Sequence, residues 1–280
     1  MTTATKIVRP RIARATNDTP LTLDQIRHVA PAVFQTEAHS RMSDSYAYIP
    51  TITILEALMA EGFTVQEVCQ ARPYAYDRDP FAKHMLRLRT PGAVAKKVGD
   101  VVPEIVLINA HDGTARYYLY GGLYRMVCSN GMMMGKTIAS MTVAHRGGEL
   151  TRNKVIEGSY TIVKDEFPKM LEQRQAMLDR PVSRDEEVLF AHRALALRYA
   201  DGLPPFGASL LLNVRRSEDD HPTLWHLLNK VQENVIDAGF ASRSVLFNRL
   251  THIRPVEQVN QRVKINRGIW DIATEMLQAA

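Results

Sequence analysis

The spacing of apolar and polar positions changes partway along the chain. Near residue 50 the apolar residues recur at helical spacing, and Thr51 or Thr53 can cap a helix that Gly62 closes. After Gly62 the period falls to two, which is typical of strands with one buried face. Strands are predicted over residues 63–71, 83–90, 104–110 and 114–121, with another around 125–129. The first half of the chain is therefore predicted to form an antiparallel sheet meander packed with helices.

Two short sequences in this half are typical of tight turns. His111-Asp112-Gly113 lies between the third and fourth predicted strands, and Asn130-Gly131 follows the fifth. Glycine supplies the positive φ that such turns require. Both sequences are therefore interpreted as turns.

Beyond about Ser159 the pattern becomes helical. Helices are predicted over 162–178, from Ser183 to Gly202, from Thr223 to Gly239 and over 266–277. Ser183 with Glu186 forms a capping box, as does Thr22 with Gln25 near the start of the chain. The fold class is therefore α+β, with a mainly helical C-terminal half. The predicted domains are a flexible basic arm (1–20), a sheet domain (21–158) and a helical region (159–280) that stands apart or packs with the sheet.

The amino-acid composition excludes several classes of protein. Lys and Arg exceed Asp and Glu by 35 to 30, and there are two cysteines in 280 residues. That content supports neither a disulfide scaffold nor a four-cysteine zinc site. The apolar runs are too short to span a bilayer, and the first residues lack the apolar core of a secretory signal. A cytoplasmic protein with no membrane association is expected.

Motifs of established enzyme chemistry are lacking or incomplete. The nine histidines include no pair at the spacing of a zincin helix. Residues 131–137, GMMMGKT, end like a phosphate-binding loop but have three residues between the glycines where four are needed. We therefore expect no metal, no cofactor and no catalytic residue. The sequence favours a protein that is not an enzyme.

A more informative pattern lies on the predicted strands. Residues 72–97 hold seven basic and two acidic residues. Because side chains alternate along a strand, Lys83, Arg87 and Arg89 share one face of the second strand. On the fourth strand Arg116, Tyr118 and Tyr120 share a face by the same rule.

A basic, aromatic sheet face suits single-stranded nucleic acid. Guanidinium groups neutralise phosphates, and tyrosine rings stack on bases for about 1–3 kcal/mol each. The alternative is that the tyrosines pack beneath the helical half and the arginines are only solvated. The candidate nucleic-acid-binding residues share charge, stacking or hydrogen-bonding capacity: Lys83, Arg87, Arg89, Arg116, Tyr118, Tyr120, Arg125 and Asn130.

Several segments, in their order along the chain, resemble an uncharacterised phage and plasmid family of unknown function, the YfjQ, YafZ and YubP type. The segments are Tyr48-Ile49-Pro50-Thr51, His84-Met85-Leu86-Arg87, Asn109 to Thr114, Gly122 to Gly131, Trp225 with Asn229 to Asn234, and Asn266 to Trp270. The resemblance covers residues 35–278. It implies a mobile-element setting and hence a bacterial cytoplasm, and it implies no activity.

A weaker likeness concerns topology and charge. A helix, then a strand meander, then helices is similar to the phage single-strand annealing proteins of the Red-beta, RecT and Erf group. That likeness implies a basic groove for single strands and assembly into rings or filaments, so a homo-oligomer is expected. It rests on no shared motif.

Three functional hypotheses follow from the sequence. The leading hypothesis is a single-stranded DNA-binding protein of a mobile element, with strand annealing as its candidate activity. The second is a nuclease or nucleotide-binding enzyme centred on His111, Asp112, Arg125 and Asn130. The third is an inhibitor of a host defence system. Exposed tyrosines beside a basic face favour the first, whereas a deep pocket around His111 favours the second.

Overall fold

A computed structural model describes residues 10–15, 19–42, 48, 50–72, 76–93, 101–125, 132–133, 140–143, 149–200, 202–243, 249–256 and 258–279. The chain divides into two compact units. The first contains the described residues of 1–95, 102–122 and 139–165, and the second those of 96–101, 123–138 and 166–280. Most of the strand residues lie in the first unit and most of the helical residues in the second, which confirms the predicted α+β class.

The first unit is built on a sheet. Within this unit the strands follow the order β1-β2-β3-β4-β5, and β7 pairs with β5. The bounds are β1 Arg11–Arg14, β2 Thr64–Gln70, β3 His84–Arg89, β4 Val101–Asn109, β5 Tyr117–Arg125, β6 Met132–Met133 and β7 Ser140–Val143. The pairs β1–β2, β2–β3, β3–β4 and β5–β7 are antiparallel, as predicted.

The strand bounds differ from the prediction at two places. β5 begins at Tyr117 and continues to Arg125, so it takes in the start of the strand expected around 125–129. Residues 126–129 lie outside the described part of the chain. The predicted flexible arm also fails for Arg11–Arg14, which form β1 on the edge of β2. Four alternating residues carry too little pattern to predict a strand, and the neighbouring β2 supplies the hydrogen-bonding partner.

Three helices belong to the first unit: α1 Leu23–Val29, α2 Thr51–Ala60 and α3 Glu149–Thr161. Thr22 and Gln25 form the predicted capping box of α1. Gly62 follows α2 with a φ of +89°, a conformation that favours glycine. The start of α3 precedes the predicted helical boundary at Ser159, because this helix lacks the apolar stripe by which sequence patterns are recognised.

The second unit contains α4 Phe167–Asp179, α5 Arg184–Arg198, α6 Leu224–Asp237 and α7 Val259–Gln278. Strands β8 (Ala241–Arg243) and β9 (Leu250–His252) form an antiparallel pair. Ser183 and Glu186 make the predicted capping box of α5. Trp225 and Trp270 pack edge to face with ring centroids 6.5 Å apart, and both are buried. Both rings are therefore part of the core of the second unit.

Helix α6 buries polar side chains as well as apolar ones. Gln232 donates to Asn266 of α7 at 2.9 Å, and the guanidinium of Arg216 contacts Glu233 at 3.0 Å. Asn234 accepts a hydrogen bond from Arg215 at 2.6 Å. All three polar side chains of α6 thus have partners within the second unit. None of the helices within the described ranges has the length and apolar character needed to cross a membrane.

Candidate functional site

Strand β3 separates its residues by face, as predicted. Arg87 and Arg89 lie on one face, and Leu86 and Leu88 lie on the other, where both leucines are buried. Lys83 precedes the strand and is half-buried. Burial lowers the pKa of its ammonium group, and the nearby carboxylate of Asp112 opposes that shift.

Two buried carboxylates lie among the arginines. The guanidinium of Arg87 contacts Glu104 at 2.5 Å and Glu67 at 3.4 Å. Arg89 donates to the other oxygen of Glu104 at 2.9 Å, and Arg14 of β1 contacts Glu67 at 3.3 Å. These five residues alternate in charge across four strands, and we call them the charged ladder.

The ion pairs of the charged ladder limit how its arginines can bind a phosphate group. Glu104 is fully buried, and the side chains of Arg87 and Arg89 are 12% and 13% exposed. Three guanidinium groups against two carboxylates leave one net positive charge. Buried ion pairs of this kind fix side-chain positions more than they stabilise a fold. Phosphate binding by Arg87 and Arg89 stays a prediction, and any phosphate would compete with these carboxylates.

Sequence reasoning missed the two glutamates. Glu104 lies within the apolar sequence of β4, VVPEIVLIN, where a carboxylate is unexpected. It stands opposite Arg89 in the register of β3 and β4, and Glu67 stands opposite Arg87. An acidic residue in an apolar strand beside a basic strand was the available indication of a buried ion pair.

The aromatic residues of β5 follow the predicted alternation only in part. Tyr118 is half-buried and Arg116 is exposed, whereas Tyr120 is buried. The rings of Tyr118 and Tyr120 are nearly parallel, with an interplanar angle of 4° and centroids 6.2 Å apart. The sequence left exposed and packed tyrosines open, and for Tyr120 the structure decides for packing. β5 has neighbouring strands on both sides, which surround the middle of the strand. Leu119 is buried, as expected for the opposite face.

Two of the predicted contact residues cannot be placed. Arg125 ends β5, but its side chain lies outside the described residues, and so does all of Asn130. Of the GMMMGKT segment, the described part is Met132–Met133, which forms β6.

The opposite face of the sheet carries a cluster of buried, hydrogen-bonded polar side chains. Thr51, the first residue of α2, has its hydroxyl oxygen 2.8 Å from Nε2 of His84 and 3.2 Å from Nε2 of His111. Asn109 of β4 donates to the same oxygen at 2.9 Å. All four side chains are buried. We call Thr51, His84, Asn109 and His111 the threonine cluster.

Two residues of the enzyme hypothesis, His111 and Asp112, have local structural roles. His111 lies inside the threonine cluster, and its ring also packs against Tyr48 with centroids 4.9 Å apart. The Asp112 carboxylate accepts hydrogen bonds from the backbone and hydroxyl of Thr114. Gly113 follows with a φ of +77°, so the predicted turn is confirmed. No group of three or more His, Cys, Asp or Glu residues in the described ranges could hold a metal ion.

The fold is that of an α+β protein whose sheet buries a polar cluster on one face and an ionic cluster on the other. Residues 38–270 match the family described as Domain of unknown function (DUF932), and the chain belongs to it. Two Escherichia coli K12 proteins, UPF0380 protein YfjQ and UPF0380 protein YafZ, are each 36% identical to the chain over 260 residues. Each match covers 93% of both chains. No solved structure matches the chain.

The family assignment confirms the resemblance found in the sequence. The segments that carried it in the first unit meet in three dimensions, since Tyr48, Thr51, His84, Asn109 and His111 all belong to or contact the threonine cluster. Those of the second unit, around Trp225 and Trp270, lie in its helical core. Residues distant in sequence thus form two packed centres.

Proposed function

We propose that the protein is a non-enzymatic single-stranded nucleic-acid-binding protein with a preference for DNA. Its candidate activity is strand annealing, as a homo-oligomer in the bacterial cytoplasm and in the service of a mobile element. The observation that supports this proposal is the arrangement at the start of β5. There, exposed Arg116 stands two positions before half-buried Tyr118, whose ring lies parallel to that of buried Tyr120.

This arrangement combines the two contacts that a single strand needs. A guanidinium group in solvent can neutralise a phosphate and release its counterion. An aromatic ring with one accessible side can stack on a base without regard to its identity. Because Tyr120 is buried beside it, the ring of Tyr118 has a packed neighbour that restricts its orientation. Little rotamer freedom then remains to be lost on binding.

The charged ladder supports the proposal in a subordinate role. Its net positive charge lies on β1 to β4, and the carboxylates hold the guanidinium groups in defined positions. Lys83, Arg87 and Arg89 remain candidate contacts within this proposal. Arg116 and Tyr118 are the leading ones, because both are accessible.

Fluorescence anisotropy with labelled single-stranded and duplex oligonucleotides at two salt concentrations tests the proposal. We expect tighter binding to the single strand, weakening as salt rises. Tyr118→Ala should cost about 1–3 kcal/mol of binding free energy. Arg116→Ala should lower the salt slope by about one unit.

Matched controls come from the second unit and α3. Tyr160 and Arg184 are both exposed, so Tyr160→Ala and Arg184→Ala should leave affinity unchanged. Equal affinity for duplex and single strand, no binding at low salt, or wild-type affinity in Tyr118→Ala would each contradict the proposal.

A further inference from the structure

The hydroxyl group of Thr51 is the meeting point of three buried side chains. Its oxygen lies 2.8 Å from Nε2 of His84, 3.2 Å from Nε2 of His111 and 2.9 Å from Nδ2 of Asn109. A threonine hydroxyl has one hydrogen to donate and two lone pairs that accept. Three neighbours therefore use its full capacity, and the proton positions can be deduced.

The contacts of His84 determine the first proton position. Its Nδ1 lies 2.9 Å from the carbonyl oxygen of Ala82. A carbonyl oxygen only accepts, so Nδ1 must carry the hydrogen. Burial disfavours the charged imidazolium, so we take both buried rings as neutral. A neutral imidazole has one N–H group, and Nε2 of His84 is then an acceptor. In this state the Thr51 hydroxyl donates its hydrogen to that nitrogen.

His111 follows by elimination. The amide nitrogen of Asn109 can only donate, so it occupies one lone pair of the Thr51 oxygen. The hydroxyl hydrogen is already directed to His84. The remaining interaction, with Nε2 of His111, requires that this nitrogen carry a hydrogen. His111 is thereby the Nε2–H tautomer and His84 the Nδ1–H tautomer.

We propose that Thr51 locks His84 and His111 as neutral imidazoles in opposite tautomers, and that this lock is a pH-sensitive switch in the first unit. A second proton on His84 would place an N–H group against the Thr51 oxygen, whose lone pairs already accept from Asn109 and His111. Two charged rings would also lie 5.2 Å apart in a buried site. Like charges at that distance away from water repel strongly.

The surrounding charged groups have other contacts. Asp79 pairs with Arg11, Asp77 lies 3.8 Å from Nε2 of His39, and Asp112 accepts from Thr114. Tyr48 packs against the ring of His111, and the backbone N–H of His39 donates to the carbonyl oxygen of His111. Lys83 and Asp112 are the sequence neighbours of His84 and His111. Each of these three carboxylates is thus engaged by another group.

The expected dependence on pH has a definite sign. Histidines in an unfolded chain take up a proton near pH 6.5. The folded cluster holds both rings neutral, so the unfolded state binds more protons as the pH falls below that value. The stabilisation is complete above about pH 6.5 and declines below it. Because Thr51 begins α2 whereas His84 and Asn109 belong to β3 and β4, protonation releases the start of this helix from the sheet.

Long-range ¹H–¹⁵N correlation spectra of the ¹⁵N-histidine-labelled protein test the lock directly. His84→Gln and His111→Gln assign the two signals. We expect the Nδ1–H pattern for His84 and the Nε2–H pattern for His111, with both rings neutral above about pH 6.5. The same tautomer in both rings, or a doubly protonated ring above about pH 6.5, would overturn the proposal.

A pair of substitutions adds an independent measurement. Thr51→Ser keeps the hydroxyl group and should preserve both tautomer patterns, whereas Thr51→Val removes it and should abolish them. If the valine variant does not fold, the wild-type and serine spectra still decide. Mixed tautomers in the serine variant would count against the lock. The outcome is independent of nucleic-acid binding, because no oligonucleotide is present.

Discussion

The two faces of strands β2, β3 and β4 both bury polar groups, but they satisfy them in different ways. One face holds the threonine cluster, which is neutral and depends on where protons lie. The other holds the charged ladder, in which ionised side chains alternate in sign from Arg14 to Arg89. The same alternation of the strands separates them, since His84 and Arg87 are on opposite faces of β3.

The difference shows which kind of change each face tolerates. A buried neutral network fails when one hydrogen-bonding group is removed or gains a proton. A buried ionic network fails when its charges cease to balance, because an unpaired buried charge is far more costly than an unpaired neutral group. Substitutions on the two faces should therefore differ in size, in pH dependence and in sensitivity to salt.

The largest effect is expected where one carboxylate serves two guanidinium groups. Glu104→Ala leaves Arg87 and Arg89 without this partner, and we expect a loss of about 3–5 kcal/mol in the free energy of unfolding. Urea denaturation followed by circular dichroism measures it. Glu56→Ala, on the exposed side of α2, should change stability by less than about 0.5 kcal/mol.

This prediction also bears on the nucleic-acid hypothesis. Arg87→Ala should also lower the free energy of unfolding, because the guanidinium group of Arg87 contacts both Glu67 and Glu104. Its removal leaves the two buried carboxylates without this shared partner. Its binding defect could not then be assigned to a lost phosphate contact. Arg116, which is exposed, is the cleaner test of phosphate binding. Wild-type stability in both Glu104→Ala and Arg87→Ala would show that the ladder contributes nothing.

An intermediate effect is expected on the neutral face. Thr51→Val keeps the shape of the side chain but removes the hydroxyl group shared by His84, His111 and Asn109. Each buried polar group left without a hydrogen bond lowers the free energy of unfolding by about 1–3 kcal/mol. Because the neighbouring side chains can relax, we expect a total loss of about 2–4 kcal/mol. The midpoint of urea unfolding at pH 7.5 gives the value.

Thr51→Ser is the matched control, since it retains the hydroxyl group and loses one buried methyl group, at about 1 kcal/mol. Because the network is neutral, the difference between valine and serine should not change between low and high salt. A difference that shrinks with salt would indicate that charge, and not hydrogen bonding, is responsible.

The smallest effect is expected at the outer end of the ladder. The side chain of Arg14 is 39% exposed on the edge strand β1, and its buried partner Glu67 keeps Arg87 as a second partner. Exposed ion pairs contribute about 0–1 kcal/mol and are screened by salt. Arg14→Ala should therefore lower the free energy of unfolding by at most about 1 kcal/mol at low salt. At about 0.5 M salt the loss should not be measurable, because salt screens the pair. A cost near that of Glu104→Ala would mean that the ladder acts as one unit along its whole length.

Local rules in the sequence were enough to predict most elements of the fold. The capping residues Thr22 and Ser183 and the positive φ of Gly113 follow from interactions within a few residues, and all three are confirmed. The alternation along β3 predicted which side chains share a face. Helix α3 escaped prediction because its packing, and not an apolar stripe, stabilises it.

What the sequence determined by itself was the fold class, the family and the identity of the candidate residues, because period, caps and motifs are short-range properties. What only the tertiary structure decided was which of these residues meet. Glu67 and Glu104 reach Arg87 from the two neighbouring strands, and Thr51 reaches His84 and His111 from a helix. These contacts depend on strand register and helix docking. Both are set by burying apolar surface across the whole first unit, a long-range balance that no local pattern records.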